Sequence, residues 1–469
     1  MKKILLMLLL IISNCWVVFS QDNYRIENFG NRSLLLSGNV TGSVEDLGLT
    51  YYNPARLALI ENPTFSINAK AYEFNSITLK NTVDVKDKLS SSKFNGVPSM
   101  VAGTFKIKSL EDHSFAYSVI TKVRSNISLN YSTDLVSGDI LEDMEGLEDF
   151  VSKINLKSEL KDEWFGLTWS KAFSEKFSIG VSNFFSIYNH KGSNILDYNI
   201  SHSEGEVVTY NKEVGFEQSS YGMFWKIGLA WINPKVEFGL NITPPYIDFY
   251  SEGKIRYSEF LAGTGSGSDI FTYANLKDLK AKRKVPFGID IGAGIPIRKS
   301  KLHVNLDWHN KVSSYNRIVI PEIASEKEEP LQLEFVEKRR SVFNYGLGAE
   351  VYISPKLDGY LSFSSDYSSA LDNSNIFDIG DKEDQELNFK LDYYHFGFGI
   401  NLNLSWSDMI LGSTYSFGSS SFDKPDDTIP ENGNDINIDQ EPASIILSRW
   451  RFIVGIEIPI LSKKLEEIK

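Results

Sequence analysis

Residues 394–406 read Tyr394-His395-Phe396-Gly397-Phe398-Gly399-Ile400-Asn401-Leu402-Asn403-Leu404-Ser405-Trp406. Every even position is large and apolar, and every odd position is small or polar. Side chains of a strand point alternately to opposite faces, so one face of this ribbon is wholly greasy. A soluble sandwich also hides a greasy face. Long strands carrying large aromatics on one stripe along a whole chain instead fit a sheet whose outside meets hydrocarbon and whose inside meets water or a plug.

The same alternation recurs from Thr64 onward: Phe165/Leu167/Trp169, Phe177/Ile179/Val181, Met223/Trp225/Ile227/Leu229/Trp231, Val236/Phe238/Leu240/Ile242, Val285 to Ile297, Leu302/Val304/Leu306/Trp308, Phe343 to Ile353, and Trp450/Phe452/Val454/Ile456/Ile458. Short connections at 110–112, 174–176, 233–234, 298–300, 354–356 and 405–407 suit tight hairpins. Long ones are read at 133–162, 191–218, 259–283, 321–341, 369–390 and 421–443. The count is about fourteen strands, an even number. Parity puts the short turns, with both termini, on one side, the periplasmic side of such a barrel. Trp164, Trp231, Trp308, Tyr394, Trp406 and Trp450 fall near strand ends, where such rings sit at a bilayer boundary. The fold class read from the pattern is all-β, a transmembrane antiparallel barrel.

The chain has 469 residues. It opens with Met1-Lys2-Lys3, an apolar run Ile4–Phe19 and Ser20-Gln21, the layout of a secretory signal peptide cleaved after Ser20. Cleavage removes Cys15, the single cysteine, so the mature chain has no thiol chemistry. It also removes Lys2 and Lys3, taking the net charge from −13 to −15. An acidic exported chain is a poor nucleic-acid binder. Past residue 20 no apolar run is long enough for a membrane-crossing helix, so any crossing is by strands. The expected organisation is a signal peptide (1–20), an N-terminal hatch segment (21–63), an outer-membrane barrel (64–461) and a periplasmic C-terminal tail (462–469).

No catalytic residue is assigned. There is no Gly-x-Ser-x-Gly elbow. The run Gly263-Thr264-Gly265-Ser266-Gly267-Ser268 lacks the Gly-Lys-Ser/Thr of a phosphate loop and is read as a loop. His303 and His309 flank Asp307, but six residues of strand separate them too far for one ion. The acids at 423–439 lack calcium-loop spacing and are read as a solvated loop. No metal and no cofactor are expected. Arg449, Arg451, Glu457, Asp290, Glu350 and Asp307 fall on the inward stripe, as an ion-paired interior. Residues 140–154 read as an amphipathic loop helix with Ile140, Met144, Leu147, Val151 and Ile154 on one face. That face is a candidate for capturing hydrophobic ligands or for packing on neighbouring loops. Phe271, Leu276 and Leu279 suggest a second, weaker helix.

One further set of residues carries a likeness. Asn53-Pro54-Ala55, then Asn62-Pro63-Thr64-Phe65-Ser66, precede the first strand. With them go Phe238-Gly239-Leu240-Asn241-Ile242-Thr243-Pro244-Pro245, Val285-Pro286-Phe287, Asp307-Trp308 and Tyr345–Tyr352. Together with the leader and strand count, they resemble the long-chain fatty-acid transporter family of outer-membrane proteins (FadL/TodX-like). The resemblance implies a monomeric barrel whose N-terminal segment, with Asn53, Pro54 and Ala55, forms a hatch in the lumen. It also implies entry of hydrophobic ligands from outside and sideways release at a strand kink. The function so implied is passive uptake of a hydrophobic small molecule by a non-enzyme in the bacterial outer membrane. Its partners are membrane lipids, that small molecule and other outer-membrane proteins. The alternative is a non-transporting accessory barrel in an outer-membrane secretion or assembly complex.

Overall fold

A computed structural model describes residues 23–60, 64–80, 88–93, 98–132, 135–138, 147–263, 269–324, 330–369, 391–422 and 443–459. The expected signal peptide, Ile140 and Met144, the acids of 423–439, residues 264–268 and the 462–469 tail lie outside the described residues. The strands are β1 (Thr64–Lys80), β2 (Lys88–Lys93), β3 (Pro98–Phe105), β4 (His113–Ser132), β5 (Val136–Gly138), β6 (Glu148–Ser174) and β7 (Phe177–His202). Then come β8 (Val207–Asn233), β9 (Val236–Thr243), β10 (Ile247–Ala262), β11 (Ile270–Lys280), β12 (Gly288–Ile297), β13 (Ser300–His309) and β14 (Val312–Ile318). The last are β15 (Phe335–Arg339), β16 (Val342–Ser354), β17 (Leu357–Asp366), β18 (Asp392–Asn403), β19 (Asp408–Phe422) and β20 (Ala443–Pro459). Two short helices, α1 (Arg32–Leu35) and α2 (Leu49–Tyr52), and a 3-10 turn (Pro54–Leu59) precede them.

Strands in hydrocarbon have no water to satisfy their backbone, so the sheet must close on itself. It does: β1 pairs antiparallel with β20 from Thr64↔Pro459 to Lys80↔Ser444. Fourteen strands complete the ring, namely β1, β3, β4, β6 to β9, β12, β13 and β16 to β20, all antiparallel. The opening stretch behaves as its alternation dictates. Phe396, Phe398 and Ile400 are exposed on the outside, while His395 and Asn401 are buried inside. Leu361, Phe165, Leu167, Phe452 and Val454 extend the same outer belt. A belt of this extent has to meet lipid.

The structure corrects several connections. β6 and β8 have 27 residues each and β7 has 26, whereas about 9–11 residues cross a bilayer. Much of 148–162, 191–218 and 259–283, expected as loop, is therefore strand projecting past the membrane. Here the pattern changes sign. Phe216, Val214, Tyr210 and Val208 on β8 are buried inside, while Glu213 and Glu217 face out. Above the bilayer the outside is water and the inside holds apolar packing, so the greasy stripe moves to the other face. The helix expected over 140–154 does not form across 147–154: Leu147 precedes β6 and is exposed, and Val151 and Ile154 lie within β6. Leu147 is spaced from these by strand geometry, which puts Phe150 and Leu156 inside. Phe271, Leu276 and Leu279 likewise belong to strand β11.

The short-turn end carries the start of β1 and the end of β20, as parity requires. Asn23 departs from that expectation. Its side chain donates to the carbonyls of Asp366 and Leu391, at the opposite ends of β17 and β18. The segment from Asn23 thus runs down inside the barrel. We expect Phe398→Arg, which puts a charge mid-strand on the lipid face, to destabilise the barrel by about 2–4 kcal/mol. Phe398→Leu should cost under about 1.5 kcal/mol. Urea unfolding in lipid vesicles, followed by tryptophan fluorescence, measures both.

Candidate functional site

The interior is built from residues 23–60 outward. Pro54 fixes the first residue of a 3-10 turn, and Asn53 caps it by accepting from Ala55 N at 3.1 Å. The Asn53 amide also donates to Thr41 O (2.8 Å) in the hatch and to Leu229 O (3.0 Å) in the wall. Ala55 O accepts from Ser170 Oγ (2.9 Å) and Ser178 Oγ (2.8 Å) on β6 and β7. Arg56 donates to Val44 O and Gly42 O and pairs with Glu237 at 2.8 Å. The Asn53-Pro54-Ala55 corner is therefore bolted to three neighbouring strands. Gly239 and Gly228 face it because a Cβ on either would run into Thr41 O or the Asn53 amide. The small inward stripe is small because hatch backbone lies against it.

Ion pairs bind the rest of the hatch to the wall: Arg25–Asp307 (3.3 Å), Arg32–Asp408 (2.9 Å) and the contact of Glu27 with Arg451. Arg451 also reaches Glu73 at 2.8 Å. Within the hatch, Asp46 accepts from Ser33 N, Ser33 Oγ and Gly48 N. Burial pushes its carboxyl up from the ordinary value, and those three donations oppose the shift.

A second inward element closes the lumen from the other side. β14 and β15 form a two-stranded sheet between β13 and β16. Its Ile318 and Phe335 pack with Leu156, Phe216, Ile255, Tyr393, Ile445 and Leu447, which come from four ring strands and β10. Arg317 is 2% exposed; it donates to Gln218, to Tyr188 OH (2.9 Å) and approaches His190 Nδ1 (2.6 Å). Glu337 stands 3.9 Å from it.

Between hatch and roof lies a cavity of about 170 Å³. One wall is aromatic. Trp164 stacks on Phe224 at 4.2 Å between centroids, Phe224 meets Tyr246 at 4.6 Å, and Tyr51 lies 6.0 Å from Trp164. Two broken strands adjoin this wall. Pro244-Pro245 separates β9 from β10, and Val285-Pro286-Phe287 ends the segment between β11 and β12. Proline removes ladder donors, so pairing lapses here. Arg283 enters through this break, pairing with Asp162 at 2.7 Å and lying 4.0 Å over the Tyr188 ring. Lys122 and Lys226 also line the cavity, 5.0 and 4.3 Å from the Tyr51 centroid.

The cavity borders an interruption in the wall. β3 pairs with β4 from Phe105↔Phe115 to Met100↔Ile120. Beyond that point β4 continues to Ser132 against β6, with a bulge between Thr121 and Val123, and β1 exchanges β3 for β2. Among the described residues no pairing joins β2 to β4. Lys122 sits at the bulge, a feature that re-aims side chains.

Asp290, Asp307 and His309 bring ligand-type atoms within 4.8 Å of one another. Arg25 already supplies positive charge to Asp307, and Asn241 and Asn344 donate to the two carboxylates. His309 stacks on Tyr24 at 3.8 Å, while His303 bonds Ser43 Oγ at 2.7 Å, so these histidines serve separate contacts. The candidate capture residues Leu147 and Val151 are not among the residues that line the cavity. Sequence reading missed Lys122, Lys226, Arg283 and Arg317. The signal for Lys226 was present: it falls on the inward positions of Met223–Trp231, where a lone cation on a long apolar strand stands out.

No family model matches the sequence, and no curated protein matches it. Solved structures do match the fold. A Pseudomonas aeruginosa FadL homologue has a TM-score of 0.54 at 10% identity, over 94% of this chain and 100% of that one. The Pseudomonas putida toluene transporter TodX has a TM-score of 0.54 at 12% identity, over 94% and 100%. The monoaromatic hydrocarbon channel CymD has a TM-score of 0.55 at 11% identity, over 92% and 98%. The chain has the fold of these barrels along their whole length.

Asn53→Ala would strip the acceptor of Ala55 N and the donor to Thr41 O and Leu229 O. We expect a loss of about 1–3 kcal/mol in hatch docking, seen as faster protease cleavage within residues 23–60 while the barrel stays folded.

Proposed function

We propose that this chain is an outer-membrane barrel for passive uptake of small hydrophobic molecules. The observation that carries the reading is the aromatic-walled cavity beside the interrupted β3–β4 pairing. Its size suits one ring: an engineered apolar cavity of about 150 Å³ takes benzene. A long acyl chain would need the space to open. The similar barrels described as a toluene transporter and a monoaromatic hydrocarbon channel support this class of ligand.

The wall supplies the rest of the mechanism. The segment 23–60 on one side and the β14–β15 roof on the other narrow the lumen around the cavity, which in this reading limits passage of polar solutes. A ligand reaches the cavity by displacement of the β14–β15 roof, whose hold rests on Arg317 and the Ile318/Phe335 packing. It leaves sideways, where β4 lacks a β2 partner, into the outer leaflet side of the wall, or downward past the hatch. No step forms or breaks a covalent bond, and the reading is of a carrier path, not an enzyme.

Uptake of labelled toluene, and of a long-chain fatty acid, by cells with and without the gene tests this. Faster uptake of the single-ring compound is expected. Equal uptake across the panel refutes the reading, and recovery of a stoichiometric complex in mild detergent favours the accessory-barrel alternative. Replacing residues 313–338 by a short Gly-Ser linker should raise ion conductance in planar bilayers above a near-silent wild type.

A further inference from the structure

The cavity's charges do not balance. Six cations line it (Arg25, Lys122, Lys226, Arg283, Arg317 and Arg339) against five carboxylates (Glu27, Asp162, Asp290, Asp307 and Glu337). Glu27 is held by Arg449 and Arg451 from outside this lining. The arginines are spoken for: Arg25 by Asp307, Arg283 by Asp162, and Arg317 and Arg339 by Glu337.

Lys122 and Lys226 differ. Among the described residues neither has a carboxylate within ion-pair distance. Lys226 is 6% exposed and donates to Thr243 Oγ1 at 3.2 Å; Lys122 donates to Tyr24 O at 3.3 Å. Asp290 lies near enough to Lys226 to feel its charge but not within ion-pair distance, and it accepts from Asn241 at 3.0 Å. Both ammonium groups approach the same ring, Tyr51. Lys226 is buried and Lys122 half-buried; like charges repel, and removal from water makes a charge costly. An anion between them relieves both costs. The stacked Trp164–Phe224 wall beside them offers a flat apolar surface.

Resting on the uptake reading above, we propose that the preferred ligand is a compact aromatic carboxylate, its ring on the Trp164–Phe224 wall and its carboxylate between Lys122 and Lys226. A neutral hydrocarbon of the same size fills the volume but leaves the two lysines unpaired. The bulge at Lys122 and the inward register of Lys226 are what place the two charges on one ligand group.

The test uses the full chain, purified in detergent, with its folded state checked by heat-modifiable gel migration. Labelled 4-methylbenzoate and its neutral near-isostere 4-methylacetophenone are compared by equilibrium dialysis. Wild type should bind the carboxylate at least about tenfold more tightly, the scale of one charge-assisted contact. Lys226→Met and Lys122→Met should each weaken the carboxylate far more than the ketone, and Lys226→Arg should restore most of the preference. Equal binding of the two probes to wild type, or a preference that survives in the double Met variant, overturns the anion site while leaving uptake standing. Absence of binding by either probe, together with cells that gain no toluene uptake from the gene, overturns the uptake reading and this inference together.

Discussion

Closure of β1 on β20 is the constraint from which the rest follows. Inside hydrocarbon each unpaired backbone group is expensive, so the ring of fourteen strands has little freedom along most of its circumference. What variation the molecule has is confined to its interior and to places where pairing lapses. Those places coincide. The β9/β10 and β11/β12 breaks admit Arg283, and the end of the β3–β4 ladder exposes Lys122. Features that weaken the wall are the ones that furnish the cavity.

Much of the described interior is filled by residues 23–60. Hatch backbone lies against wall glycines closely enough that Gly239, Gly228 and Gly397 have no room for a Cβ. Close approach lets wall hydroxyls and hatch carbonyls pair directly, as Ser170 and Ser178 do with Ala55. Buried ion pairs such as Arg56–Glu237 and Arg25–Asp307 add position more than net stability, because desolvation offsets much of their attraction. The roof is of another kind. It is held by apolar packing of Ile318 and Phe335 around one fully buried arginine, Arg317. The hatch is thus fixed by many polar contacts, and the roof by apolar packing together with the hydrogen bonds of Arg317.

Period-two alternation was legible wherever the strand faced lipid, and misleading above it. Along β8 the outward set Met223, Trp225, Ile227, Leu229 and Trp231 is apolar, yet farther along the same strand the apolar residues Phe216 and Val214 turn inward. The geometric alternation never changes; the solvent outside does. A reading keyed to one greasy stripe stops at the bilayer edge and assigns the continuation to loop. The stripe seen as a helix at Leu147, Val151 and Ile154 arose in this zone, where inside and outside residues carry mixed chemistry.

By itself the sequence determined the barrel and its number of strands, because lipid imposes a periodic rule that each strand must obey locally. It also marked Asn53-Pro54-Ala55, Pro244-Pro245 and Val285-Pro286-Phe287, since proline limits the backbone wherever it stands. Only the tertiary structure decided the cavity. Lys122, Lys226, Tyr51 and Trp164 are far apart in the chain, and no local pattern says that two lysines from different strands will share a ring on the hatch. That meeting depends on ring closure, on a bulge and on the depth at which the hatch docks, which are properties of the folded whole.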